Sequence, residues 1–397
     1  MQKLIFGALV GAYLVSSASH ADPGRDLNQV IISGQSLALG ALGAPALSTT
    51  PAENAFMFEG GLGSWGWDQL VPLQESHNET IASGFAITLA GLLTEQMRPS
   101  HTVGLSLSAR GGTPIEKLDR AGGDPYRRYW RTIFSAWWMR QLAIQLQMTH
   151  RVQAVFWLQG EANSGAVIAD YREKLITLKR DYEADFSAVG QEGPVPMLTY
   201  QTSSAHVYGE DASVAQAQLE ASIAEENLFL VTPIYHLPYV DPLHLTNRGY
   251  RWLGAYFAKV YKQTVIDGYP WEPLRPLFAS ASENTIYITY HVPHPPLVLD
   301  SEAVSDPGQF GFRVLDEQGE VPLEQVSILQ RETVVITLSR EPIGNATVEY
   351  AYEDALGQPA GPATGARGNL RDSDPRTGVD QEPLYNWSVI FRIGINH

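Results

Sequence analysis

Between Val30 and Tyr269 the chain alternates short apolar runs with longer amphipathic ones, and this alternation restricts the possible folds more than any other feature. Val30–Ser33, Val103–Ser108, Val152–Leu158, Val195–Tyr200 and Leu228–Thr232 read as strands. Ala82–Met97, Tyr129–Met148, Ile168–Phe186 and Ser213–Glu225 read as the helices between them. Strands that are apolar almost throughout, and that are joined through helices, belong in a parallel sheet buried on both faces. The expected fold class is α/β, a three-layer α/β/α unit with a parallel sheet over residues 22–268. In open sheets of this kind ligands bind beyond the carboxyl ends of the strands. The residues just after each apolar run are therefore the first place to seek a site.

The pattern breaks at Tyr269-Pro270-Trp271-Glu272-Pro273-Leu274-Arg275-Pro276, which has no periodicity and reads as a linker or packed strap over 269–276. Beyond it lie alternating runs, among them Thr285–Tyr290, Val334–Leu338 and Ala346–Tyr352, separated by Gly, Pro and Asp turns. They predict an antiparallel, sandwich-like β domain over 277–397. A length of 397 residues suits two such units.

Charge and cysteine usage exclude several classes of function. A formal charge of −16 and a pI near 5.0 argue against nucleic acid as a partner, which would require a basic face. At the N-terminus Lys3 precedes an apolar run from Leu4 to Val15, and Ser19-His20-Ala21 offers a cleavage site. Residues 1–21 read as a signal peptide, implying a secreted or periplasmic protein. The run is too short to span a bilayer, so no membrane insertion is expected after cleavage. The absence of cysteine rules out disulfides, a thiolate nucleophile and cysteine-ligated zinc. No His/Asp/Glu group has metal-ligand spacing, since His291 and His294 flank a proline without an acidic companion. No phosphate loop or dinucleotide fingerprint occurs, and no cofactor is expected.

Four polar segments stand just beyond apolar runs. Gly34-Gln35-Ser36 offers a nucleophile on a turn where His can reach it and where backbone N–H groups can meet an oxyanion. Gly111-Gly112-Thr113 offers a further N–H where the backbone must approach closely. Gln159-Gly160-Glu161 offers a side-chain amide as another oxyanion donor, and Glu161 can orient Gln159 or Arg110 or simply favour a helix N-terminus. In Asp241-Pro242-Leu243-His244 the Asp can fix the tautomer of His244, the expected general base. Each has an ordinary structural reading when taken singly: a helix-capping serine, a tight turn, an Asp-Pro turn. Their order along the chain points to a hydrolase. The flanks of Ser36 lack the G-x-S-x-G spacing of the α/β-hydrolase elbow.

These residues resemble the SGNH hydrolases, and within them the sialate O-acetylesterase-like and acetylxylan esterase-like carbohydrate esterases. The resemblance runs through IISGQSL, ARGGTPI, FWLQGEAN and DPLHLTNRGY, from about Asn28 to Lys262. It implies a flavodoxin-like fold and metal-free removal of acetyl groups from sugars. It also implies catalytic Ser36, Asp241 and His244 and an oxyanion hole from Ser36, Gly111 or Gly112 and Gln159, while Gln35, Arg110 and Glu161 are candidate supporting residues. Two positions depart from the family pattern: Leu37 stands where Asn is usual, and Ala162-Asn163 ends the third block in place of Ser-Asp.

Trp65, Trp67, Tyr126 and Arg127 are candidate substrate contacts, because sugar rings stack on aromatic faces and Arg holds carboxylates. Trp137-Trp138, inside a helix, is expected to be core. The primary expectation is an exported serine esterase acting on an acetylated carbohydrate. The alternatives are a lipase or thioesterase of the same superfamily, and a glycan-binding surface protein whose α/β unit is inert.

Overall fold

In a computed structural model of the protein, residues 26–52, 54–64, 69–96, 101–353 and 357–396 are described. The expected signal peptide lies outside them. Up to Tyr261 the elements are β1 (Asp26–Gly34), β2 (Ala55–Phe58), β3 (Leu70–Pro72), α1 (Ile81–Glu95), β4 (Val103–Ala109), α2 (Ile115–Leu118), α3 (Arg128–Gln145), β5 (Thr149–Leu158), α4 (Ile168–Ala188), β6 (Met197–Gln201), α5 (Ser213–Ala224), β7 (Leu228–Pro233) and α6 (Asn247–Tyr261). The seven strands form one sheet in the order β3-β2-β4-β1-β5-β6-β7. Every pairing is parallel except that of the edge strand β3 with β2. The fold is thus mixed α/β with a parallel-rich sheet, as the alternation predicts.

Side-chain alternation along the strands explains why both faces are apolar. Val30, Ile32 and Phe156 turn to one side and pack with Phe85 and Leu89 of α1 and Leu253 and Phe257 of α6. Ile31, Val155 and Trp157 turn to the other and meet Ile133 of α3, Leu175 of α4 and Val214 of α5. Each large apolar side chain removed from water in this way contributes roughly 2 kcal/mol. Helix starts are pinned by side chains: Thr80 accepts from the Ala82 N–H (3.1 Å), and Thr246 from the Gly249 N–H (3.1 Å).

The remaining elements are β8 (Arg275–Ser282), β9 (Thr285–His291), β10 (Val298–Leu299), β11 (Phe312–Asp316), β12 (Gly319–Glu320), β13 (Leu323–Leu329), β14 (Thr333–Leu338), β15 (Thr347–Tyr350), β16 (Leu370–Arg371) and β17 (Phe391–Asn396). Eight of them hydrogen-bond in the order β12-β11-β15-β17-β8-β9-β14-β13, and β10 pairs with β16. The C-terminal region is β-rich, with one short 3₁₀ turn (Gln309–Gly311) and no longer helix among its described residues.

The connector before β8 is packed. Trp271 sinks into the first core and donates its indole N–H to the Leu230 carbonyl (2.8 Å). The two parts of the chain share buried polar contacts. Gln201 exchanges two bonds with the Ile390 backbone (2.8 and 2.7 Å), and Tyr235 donates to the Ser388 carbonyl (2.8 Å). Lys259 of α6, with a side chain 0% exposed, donates to Asp374 (3.1 Å), Asn386 (2.6 Å) and the Leu384 carbonyl (2.5 Å).

Candidate active site

Three of the four polar segments meet because their strands are neighbours in register. β1 lies between β4 and β5, and Gly34 is paired with both Ala109 and Leu158, the last residues of those strands. Gln35-Ser36, Arg110-Gly111 and Gln159-Gly160 therefore leave the sheet side by side. The chain passes from β1 to one side of the sheet, through β2 and β4, and later to the other, through β5. The site thus sits at a switch point, beyond the carboxyl ends of the strands. Gly34 is what lets β1 and β5 end so close together. Its φ is +131°, and a Cβ there would lie 2.1 Å from the Leu158 carbonyl oxygen.

The fourth segment arrives from the far side of the sheet, after β7. A tight turn closed by Val240 N–H to His244 carbonyl (2.9 Å) and Thr246 N–H to Pro238 carbonyl (2.9 Å) presents Asp241 and His244. His244 Nε2 lies 3.0 Å from Ser36 Oγ, and its Nδ1 lies 2.9 Å from Asp241 Oδ2. The other carboxylate oxygen, Oδ1, accepts from the backbone N–H groups of Leu243 (2.8 Å) and His244 (2.5 Å). Burial alone would raise the Asp241 pKa, but these hydrogen bonds outweigh it and hold the carboxyl below its ordinary value. Ser36, His244 and Asp241 form one hydrogen-bonded line, each of them partly open to solvent.

Gly111 lies against the nucleophile: a Cβ on it would sit 3.8 Å from Ser36 Cβ, while one on Gly112 would meet nothing within 4 Å. Among the described residues the backbone N–H groups of Ser36 and Gly111 donate to no other protein group.

Gln159 differs from expectation. Its side chain is 0% exposed, and its amide N–H groups go to Asn163 Oδ1 (2.7 Å) and the Thr113 carbonyl (3.3 Å). Its Oε1 accepts from Tyr171 (2.8 Å). In this arrangement both N–H groups are taken, and Gln159 braces the glycine block instead of offering a donor to an oxyanion. Asn163, which also accepts from the Ile115 N–H (2.9 Å), is the hub of that brace. In the sequence Asn163 stands out only as a departure from the family pattern, and Tyr171 lies on α4 with no motif to mark it.

Glu161 orients neither Gln159 nor Arg110. Its Oε1 accepts from Tyr200 (2.5 Å) and Thr202 (2.9 Å), while Oε2 is buried without a partner. Burial pushes its pKa up, against the opposing hydrogen bonds and the nearby His244. Gln35 accepts from the Ala162 N–H (3.2 Å) and so ties the nucleophile turn to the third block.

Arg110 pairs with Asp124 (2.7 Å), and its guanidinium lies 5.2 Å from the centre of the Tyr126 ring. Tyr126 and Arg127 border an open groove on α3. Trp65 and Trp67 lie outside the described residues. Trp137 is not core but 39% exposed, whereas Trp138 packs against Leu27, Phe58 and Met139. Among the described residues no group of three or more His, Asp or Glu is placed to hold a metal ion. None of the described helices is long and apolar enough to cross a membrane.

A serine hydroxyl hydrogen-bonded to an imidazole, itself oriented by a carboxylate, is the apparatus of a serine hydrolase. The family model described as carbohydrate esterase, sialic acid-specific acetylesterase, matches residues 28–263. The chain belongs to this family and is a carboxylic ester hydrolase. Among solved structures it is similar to XAC1771, a carbohydrate acetylesterase from Xanthomonas citri. That match has a TM-score of 0.58 and 18% identity, and it covers 92% of this chain and 80% of the other. A protein from Arabidopsis thaliana, AT4G34215, matches with a TM-score of 0.46 and 20% identity over 60% of this chain and all of its own. NanS matches with a TM-score of 0.44 and 11% identity over 61% of this chain and 98% of its own. No curated protein sequence matches the chain.

Proposed function

We propose that the protein is an exported serine esterase that removes O-acetyl groups from a carbohydrate through an acetyl-enzyme. Family membership supports the ester and carbohydrate parts of this reading. The observation that carries the chemistry is the 3.0 Å approach of His244 Nε2 to Ser36 Oγ, with Asp241 behind His244 and Gly111 beside Ser36.

Ser36 Oγ attacks the acetyl carbonyl carbon as its proton passes to His244 Nε2. The carbonyl electrons move to oxygen, and the N–H groups of Ser36 and Gly111 receive the charge. Asp241 stays ionised and stabilises the imidazolium that forms. His244 returns the proton to the sugar oxygen, the carbon–oxygen bond breaks, and the deacetylated sugar leaves. Water, deprotonated by His244, then attacks acetyl-Ser36 and releases acetate.

Gln35 and Gln159 hold the nucleophile turn and the glycine block in place. The same reading gives residues 22–268 a flavodoxin-like three-layer plan, and 277–397 a sandwich-like accessory domain after the 269–276 connector. Residues 1–21 would direct export to the periplasm or the medium.

The test is hydrolysis of 4-nitrophenyl acetate and 4-nitrophenyl octanoate by wild type and Ser36→Ala, alongside acetate release from acetylated sugars. Fast acetate turnover that the substitution abolishes is the expected result. Preference for octanoate would place the protein with the lipases instead.

A further inference from the structure

The outer face of α3 is aromatic and begins beside the candidate site. Tyr126, Trp130 and Trp137 are 55%, 39% and 39% exposed, although rings of this size are ordinarily well covered. With Phe134, Arg127 and Arg131 they line an open groove of about 700 Å³. Trp130, Phe134 and Trp137 fall at helical spacing on one face of α3, a track of about 10 Å at the rise of an α-helix, and Tyr126 lies just before the start of that helix. Contiguous exposed apolar surface of this kind marks a place of contact.

Two further observations say what the groove takes. One is charge. On a protein of formal charge −16, Arg110, Arg127, Arg128 and Arg131 gather here against Asp124. Arg110 and Arg128 lie 5.2 and 5.3 Å from the Tyr126 ring centre. Burial pushes the Arg128 pKa down, and the positive field of Arg131 adds to it. The second is continuity with the site. Gly111 touches the nucleophile, Arg110 is its chain neighbour, and the Arg110 guanidinium covers Tyr126, where the groove opens.

We propose that this groove is a distal subsite for the sugar chain of the substrate, which is a polymer bearing carboxylate groups, as in a polyuronate. Aromatic faces stack on the C–H faces of successive sugar rings, and the arginines pair with their carboxylates. The inference rests on the carbohydrate acetylesterase reading of the same site.

The test uses the full chain and three esters: 4-nitrophenyl acetate, acetylated polygalacturonate and an acetylated neutral glucan. Wild type is compared with Trp130→Ala and Arg131→Gln. Trp130→Ala is expected to raise KM about tenfold on the polyuronate and to leave 4-nitrophenyl acetate turnover unchanged. Arg131→Gln is expected to raise KM on the polyuronate and not on the glucan. Variants that match wild type on a polymer the wild type deacetylates would overturn the groove while leaving the esterase reading intact. Equal effects of Arg131→Gln on both polymers would overturn the carboxylate assignment. A wild-type dimer by light scattering that Trp130→Ala dissociates would make the groove a self-association face, and the proposal would fall. If wild type releases acetate from no carbohydrate, the carbohydrate reading itself fails.

Discussion

Replacing Asp241 by Asn tests the orientation of His244 more sharply than deleting the side chain. Asp241 Oδ1 accepts two backbone N–H groups, at 2.8 and 2.5 Å, and Oδ2 accepts His244 Nδ1–H at 2.9 Å. In the Asn variant the amide oxygen satisfies the two backbone donors. The NH₂ group is thereby forced to face Nδ1. Nδ1 must then accept, so the neutral imidazole carries its proton on Nε2 and cannot take the Ser36 proton. Tautomer reversal of this kind in a serine protease costs about 10⁴ in kcat, or about 5.5 kcal/mol of barrier, and a similar loss is expected here. Both backbone bonds survive, so stability should change by less than about 1 kcal/mol. Asp241→Ala loses both bonds, at about 1 kcal/mol each, but leaves the tautomer free to choose. Steady-state kinetics with 4-nitrophenyl acetate and a thermal melt on both variants decide the matter. Asn is expected to be at least as inactive as Ala while melting higher. An Asn variant clearly more active than Ala would refute the tautomer argument.

Other consequences are independent of that one. Gly111→Ala places a methyl 3.8 Å from Ser36 Cβ without a steric clash, so the melt should hold while kcat falls at least tenfold. An unchanged kcat would remove Gly111 from the oxyanion site. Burial raises the Glu75 carboxyl to about 7, with repulsion from Glu79 adding to it and the Thr80 and Ser83 bonds opposing it. The folded value lies above the unfolded one, so its contribution to stability is complete below about pH 4.3 and is lost as pH rises through about 7. Glu75→Gln should therefore melt higher relative to wild type at pH 8 than at pH 5, and a pH-independent difference would contradict this. Lys259→Met leaves Asp374 buried beside Arg376 (2.8 Å) and His294 (3.7 Å), and strips the donor from Asn386 and Leu384. A loss of about 3 kcal/mol in urea unfolding is expected, whereas a loss below about 1 kcal/mol would show the network to be dispensable.

How far the sequence alone discloses the fold and the site differs from element to element, for physical reasons. The strands β1, β4, β5, β6 and β7 and four of the five long helices are legible because a sheet buried on both faces demands apolar runs, and sequence records burial directly. The short strands β2 and β3, of four and three residues, leave too short a pattern to read. Ser36, Asp241 and His244 are legible as a set because each comes after a strand end. Which way a buried amide faces is not legible, and Gln159 shows why: Asn163, Tyr171 and Thr113 decide it, and two of them are supplied by other segments. The Lys259–Asp374 contact joins residues 115 apart in the chain, with nothing local to announce it. Trp137 reads as core because helix patterns place Trp inside, yet it lies on the open side of α3.

The central claim is a covalent acetyl group on Ser36. Rapid quenching of wild type with 4-nitrophenyl acetate, followed by proteolysis and mass spectrometry, tests it directly. The account predicts one acetyl group on the peptide that contains Ser36, absent in Ser36→Ala and persistent when His244 is replaced by Ala after slow loading. Turnover with no acetylated Ser36 peptide at any time, or an acetyl group located on another residue, would contradict it.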